Sequence, residues 1–201
     1  MMMLCGAVVA MSANAETLDP AAIVASLARP VPSATAFVEL HESALLKKPL
    51  QLSGEYRRPD SDSLVREVSK PYHELTLIRG DQATLQRDGK PDRHFQLSRA
   101  PELAGLQASF NALLSGDAQA LQQHYRLHAE GQASAWVLVL QPLDPAMAKR
   151  VSELRLHGGA DALRCIETVP TRGEPQRSLL GTAAEAAGDQ LDAQALERLC
   201  R

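Results

Sequence analysis

The chain has 201 residues, a formal net charge of −3, 45% hydrophobic residues and 3% aromatic residues. That length carries one domain with a sizeable core. So balanced a charge leaves no basic field for nucleic acid or an anionic membrane surface, and so few aromatics leave few platforms for stacking bases or sugars.

The first fifteen residues read apart from the rest. Leu4 to Met11 is an apolar run, and Ala13 and Ala15 complete an Ala-x-Ala cleavage site. This is the layout of a secretory signal peptide over 1–15, with a mature chain from Glu16, although no Lys or Arg precedes Arg29. The run is far short of the ~20 apolar residues needed to span a bilayer. Export to an oxidising compartment leaves two cysteines, Cys165 and Cys200. They read either as a disulfide or as two buried thiols.

Asp19 and Pro20 open a helix over Ala21 to Ala28, and Arg29-Pro30-Val31-Pro32 stops it. The period then changes to two. Phe37–Ser43, Leu50–Arg58, Leu64–Val68, Leu75–Arg79, Ala83–Arg87 and Arg93–Leu97 are expected as short strands joined by turns. Leu103, Leu106, Phe110, Leu113 and Leu114 share one helical stripe, which Gly116 closes. A short helix is expected from Asp117, then strands at Tyr125–Glu130 and Trp136–Leu140, and a short helix around Met147. A hairpin follows, with arms Val151–His157 and Leu163–Val169 and its turn at Gly158-Gly159. Gln176–Leu180 and a C-terminal helix through Leu191, Ala195, Leu196 and Leu199 end the chain. Strands joined by turns point to an antiparallel meander. The fold class is α+β: a curled antiparallel sheet, an incomplete β-barrel, whose apolar concave face is covered by the N-terminal and Leu103–Leu114 helices.

Along Leu50–Arg58, the residues Leu50, Leu52, Gly54, Tyr56 and Arg58 fall on one face, and Pro59 ends the strand. Arg58 thus stands on the face that should be buried, where a guanidinium needs acceptors. Either it snorkels back to water from the rim, or its planar fork donates to carbonyls at a helix end and latches a cover onto the sheet.

Other motifs carry less. There is no G-x-S-x-G elbow, phosphate-binding glycine loop, H-E-x-x-H or C-x-x-C. His124 and His128 have helical zinc spacing, yet on a strand four residues span about 13 Å, too far for one metal. Arg79-Gly80-Asp81 and Asp88-Gly89 fit turns, and Asp88 with Asp92 makes no convincing cation site. No metal and no cofactor is expected.

In order, the chain shows an N-terminal helix, a second strand ending Gly54-x-x-x-Arg58-Pro59, and a turn at Gly80. A Leu-rich helix, Leu-Gln-Pro-Leu at 140–143 and Leu154-x-Leu156 before Gly158-Gly159 follow. From about Asp19 to Leu180 this resembles the periplasmic outer-membrane lipoprotein carrier family, LolA. The resemblance implies one carrier domain over 16–201, with an apolar cavity beneath a helical lid and a location in the Gram-negative periplasm. It implies an acylated protein or lipid as cargo, an inner-membrane releasing transporter and an outer-membrane acceptor as partners, and no enzymatic activity. It places the lid-holding role on Arg58. Leu52, Tyr56, Leu103, Leu106, Phe110, Leu113 and Leu114 would form the lid and cargo surface of a monomer. Asp60-Ser61-Asp62-Ser63 stands where the family usually has aromatics, so the member would be divergent and its cargo a lipoprotein or another lipid or polyene. Two other readings are a periplasmic hydrolase of acylated substrates, drawing on Ser98, Ser109, His94 or His124, and an accessory protein docking on a membrane complex.

Overall fold

The computed structural model describes residues 18–41, 49–97, 110–160 and 162–201. Among the described residues, period-two patterning resolves into eleven strands. They are β1 (Ser33–His41), β2 (Leu50–Arg58), β3 (Ser63–Lys70), β4 (Glu74–Arg79), β5 (Gln82–Arg87) and β6 (Arg93–Gln96) in the first part of the chain. The second part holds β7 (Tyr125–Gln132), β8 (Ala135–Pro142), β9 (Val151–Gly159), β10 (Ala162–Pro170) and β11 (Gln176–Leu180). All pair antiparallel in one sheet ordered β6-β5-β4-β3-β2-β1-β11-β10-β9-β8-β7. The sheet is curled and not closed into a barrel. Each half is a meander, and the first strand joins the last, Phe37 opposite Leu180.

Helices cover both faces. On the concave face lie α1 (Pro20–Ser26), α2 (110–115) and α3 (Ala118–Gln122). Asp19 caps α1 and Asp117 caps α3, each carboxylate accepting from a backbone N–H in the first turn. Ile23, Val24 and Leu27 bury against Leu113, Leu121 and Tyr125, and the same core takes in Trp136, Leu138, Leu140, Leu154 and Leu156. The short α4 (Pro145–Ala148) seals its edge with Met147.

On the convex face, α5 (Gly181–Glu185) and α6 (Ala193–Cys200) bury Ala183, Ala184 and Leu196 against Val38 and Leu179. The register explains the segregation: Val38, Leu179 and Cys165 are successive cross-strand partners on one face, while Phe37 and Leu180 point to the other. Cys165 and Cys200 are disulfide-bonded with a Cα–Cα separation of 5.0 Å, which ties α6 to β10.

Three expectations shift. β1 begins at Ser33, four residues earlier than expected, because pairing with all of β2 carries it on to Ser33 opposite Arg58. The helix α5 was not expected from sequence. The turn of the β9–β10 hairpin is not Gly158-Gly159, which are the last two residues of β9; the chain turns from Ala160, which has φ 50°. Those glycines serve close approach instead. A Cβ on Gly158 would stand 2.3 Å from the Trp136 ring, and one on Gly159 would stand 2.2 Å from the Ser134 carbonyl.

Candidate functional site

The two ends of the concave face differ. At one end, Arg58 closes β2 opposite Ser33 and is 6% exposed. Its Nη1 donates to the Leu114 carbonyl at 2.9 Å and to the Arg29 carbonyl at 3.3 Å. The Arg29 amide donates to that same Leu114 oxygen at 3.0 Å. One guanidinium therefore gathers the last carbonyls of α2 and the segment leaving α1, both short of intrahelical partners. Gly116, with φ 74°, ends α2 there, and a Cβ on it would meet Ala28 at 2.9 Å. Only glycine gives this left-handed stop while letting α1 pass so close. Arg58 Nε is buried and has no partner among the described residues. The grip is real but incomplete. Arg57, on the opposite face, pairs with Glu67 at 2.5 Å and is half-buried.

Toward the other end, a cavity of about 690 Å³ lies between the sheet and α2. Tyr56, Phe110, Leu113, Leu140, Leu154, Leu156 and Ile166 supply its apolar wall. The Tyr56 ring stands 4.8 Å from Phe37 and 5.9 Å from Phe110, so it bridges the sheet and the cover. The cavity opens where β11 begins, past Glu174, Pro175 and Gln176, and reaches Ala193 and Glu197 of α6.

The expected site residues separate into groups. Tyr56, Phe110 and Leu113 line the cavity, and Leu114 offers its carbonyl to Arg58. Leu52 instead packs with Phe37, Val68 and Leu180 in a filled part of the core. Leu103 and Leu106 lie outside the described residues, as do Ser98 and Ser109. His94 meets the Thr84 hydroxyl at 3.1 Å on exposed strands, and His124 is exposed beside β7. His128 pairs with Glu130 at 3.5 Å.

Sequence reasoning missed a charged row on the concave face. Glu39 accepts from Arg66, from the Ser178 hydroxyl at 3.0 Å, and faces His41 at 3.2 Å. Arg66 lies 3.9 Å from Glu74, which in turn accepts from Arg87 Nε at 2.7 Å. Arg66 also stacks over Phe37 and Arg87 over Tyr72, at 4.7 and 4.6 Å from the ring centres. Two carboxylates and two guanidiniums thus alternate along the row, each guanidinium held by at least one carboxylate. The signal was available: Arg66 shares a face with Leu64 and Val68, just as Arg58 does with Leu52 and Tyr56. Burial, followed by the Glu39 charge, pushes the Tyr56 phenol above its usual value, with Arg66 acting the other way. The phenol stays protonated at neutral pH.

No helix among the described residues is long and apolar enough to cross a membrane. The family described as outer membrane lipoprotein carrier protein LolA-like matches residues 12–201. Among solved structures the chain is similar to the LolA superfamily protein NE2245 from Nitrosomonas europaea, at 12% identity over 81% of this chain and 89% of that one, with a TM-score of 0.40. It is also similar to MucB, at 20% identity over 92% of this chain and 65% of MucB, with a TM-score of 0.37. For MucB in the Pseudomonas aeruginosa MucA/MucB complex the figures are 17% identity, 89% and 60% coverage, and a TM-score of 0.36. No curated protein matches the chain. A match running from residue 12 to the last residue shows the family: the chain belongs to the outer membrane lipoprotein carrier protein LolA-like family, as a divergent member.

Proposed function

We propose that this protein is an exported, non-catalytic carrier in the periplasm. It takes an acyl chain into the cavity under α2 and moves it from the inner toward the outer membrane. The observation that carries this reading is the cavity itself: about 690 Å³ of space lined by Phe110, Leu113, Leu140, Leu154, Leu156 and Ile166, open at one end. That volume is in the range of small-molecule sites, whereas a filled core leaves few voids larger than a water. Each methylene taken from water contributes about 0.8 kcal/mol, so ten of them contribute about 8 kcal/mol, enough to hold a chain during diffusion. Handover then needs an acceptor that competes for the chain, or a cover that favours its own closed, empty state. The Arg58 contacts supply the second.

The family's description, an outer membrane lipoprotein carrier, supports an acylated protein as cargo; the proposed route needs a releasing transporter in the inner membrane and an acceptor in the outer membrane. The Ala-x-Ala layout before Glu16 supports export as one domain from Glu16 onward. Native mass spectrometry of protein isolated from periplasm tests these together. The expected spectrum shows a chain beginning at Glu16 with a co-purifying lipid or acyl mass. A chain that takes up no lipid, natural or added, would remove the carrier reading, and turnover of an ester substrate would replace it with the hydrolase.

A further inference from the structure

The cavity's wall changes character along a single row of cross-strand neighbours. Leu156 faces Ile166, Ile166 faces Ser178, and Ser178 faces Glu39, all of them lining the cavity. The row is apolar on β9 and β10 and turns polar at β11 and β1. An occupant lying along it would meet hydrocarbon at one end and a hydroxyl and a carboxylate at the other.

The polar end is built to accept hydrogen bonds. A carboxylate has about four lone-pair sites. Glu39 Oε1 takes Arg66 and His41, but Oε2 accepts only from Ser178 among the described side chains. The Ser178 hydroxyl spends its proton on Glu39, so its lone pairs face a newcomer as an acceptor. Cations, by contrast, are committed elsewhere. Arg66 is shared between Glu39 and Glu74. The one guanidinium among the described lining residues, Arg177, is held by Glu167 at 2.6 Å on the other face. At the mouth, Glu174 and Glu197 add carboxylates, of which Glu197 is paired with Arg201. Among the described residues, an anionic head entering here would find no uncommitted guanidinium and would pass acidic groups on its way.

Resting on the carrier reading above, we infer that Glu39 and Ser178 form a headgroup subsite selecting acyl cargo whose polar end donates hydrogen bonds or carries positive charge, over free fatty acids and other anionic lipids. The acyl chain lies toward Leu140, Leu154 and Leu156, and the head sits between β1 and β11. An ammonium or amide N–H completes Glu39 Oε2 and shares the field that already holds Arg66 and His41.

The test displaces the neutral dye N-phenylnaphthylamine from the full mature chain at pH 7, below micellar concentrations, with dodecylammonium and laurate. Both have twelve carbons and opposite head charges, and the one methylene by which their alkyl chains differ accounts for only about fourfold. The expected result is dye uptake and at least tenfold tighter binding of dodecylammonium. In Glu39→Gln, which leaves Arg66 with Glu74 alone, the preference falls at least tenfold and laurate gains, while dye uptake and the melting transition show that the cavity persists. The double variant Glu174→Gln/Glu197→Gln, at the exposed mouth, should narrow the preference about two- to threefold without loss of fold. Equal binding of the two wild-type ligands, or tighter laurate, overturns the subsite while leaving the carrier intact. No uptake of dye or either amphiphile overturns the carrier reading instead.

Discussion

Replacing Arg58 by leucine probes the coupling between cover and cargo most directly. The guanidinium makes a 2.9 Å bond to the Leu114 carbonyl and a 3.3 Å contact to the Arg29 carbonyl. Charge-assisted hydrogen bonds contribute about 1.5–3 kcal/mol each, and the longer contact, past the usual N–H···O range, contributes less than half of that. Against them stands the cost of burying a guanidinium whose Nε has no partner among the described residues. The net grip is about 1–3 kcal/mol. If cargo must displace α2 to enter, that grip opposes binding, and its loss strengthens retention by roughly 5- to 150-fold at tenfold per 1.4 kcal/mol. The assay measures the dissociation constant of an N-palmitoylated peptide and the rate of its transfer to phospholipid vesicles. Arg58→Leu should bind more tightly and deliver more slowly, with its melting transition retained. Arg57→Leu, which loses only a partly exposed pair with Glu67 on the opposite face, should stay close to the wild type in both readouts. Equal affinity and equal transfer by Arg58→Leu and wild type would refute the latch.

Removing the disulfide with Cys165→Ser/Cys200→Ser should cost roughly 3–4 kcal/mol in denaturant unfolding, from the entropy of the loop it closes; a cost under 1 kcal/mol would mean α6 needs no tether. His157 sits buried between strands with its Nε2 3.1 Å from Glu167, and burial lowers its pKa more than that carboxylate raises it. The unfolded chain then binds the proton more readily than the folded one, so stability present above the unfolded value of about 6.5 is lost as pH falls below it. His157→Gln should therefore show a smaller drop in melting temperature than wild type between pH 7 and pH 5, and an equal or larger drop would count against this assignment. Gly158→Ala drives a methyl into the Trp136 ring and should destabilise by about 1–3 kcal/mol, read as a shifted denaturation midpoint; an unchanged midpoint would show that the ring can move aside.

What the sequence determined by itself is local. Alternation with period two needs only neighbouring residues, so Leu50–Arg58 and Gln176–Leu180 were legible to the residue, and so was the placement of Arg58 among Leu52 and Tyr56 on the buried face. The aspartates ahead of α1 and α3 were legible for the same reason, since a cap bonds within its own turn. The glycine pair at 158–159 misled because turn preference is also local, whereas the need for a missing Cβ came from Trp136 on another strand. Only the tertiary structure decided what long-range register controls. The pairing of β1 with β11 brings Glu39 and Ser178 together across 139 residues, and packing of β3 beside β2 sets Arg66 against Glu39. The same pairing sends Val38 and Leu179 to the convex face, where α5 and α6 cover them and Cys200 meets Cys165. Strand order and register arise from the summed burial of every strand at once, and no window along the chain contains that sum.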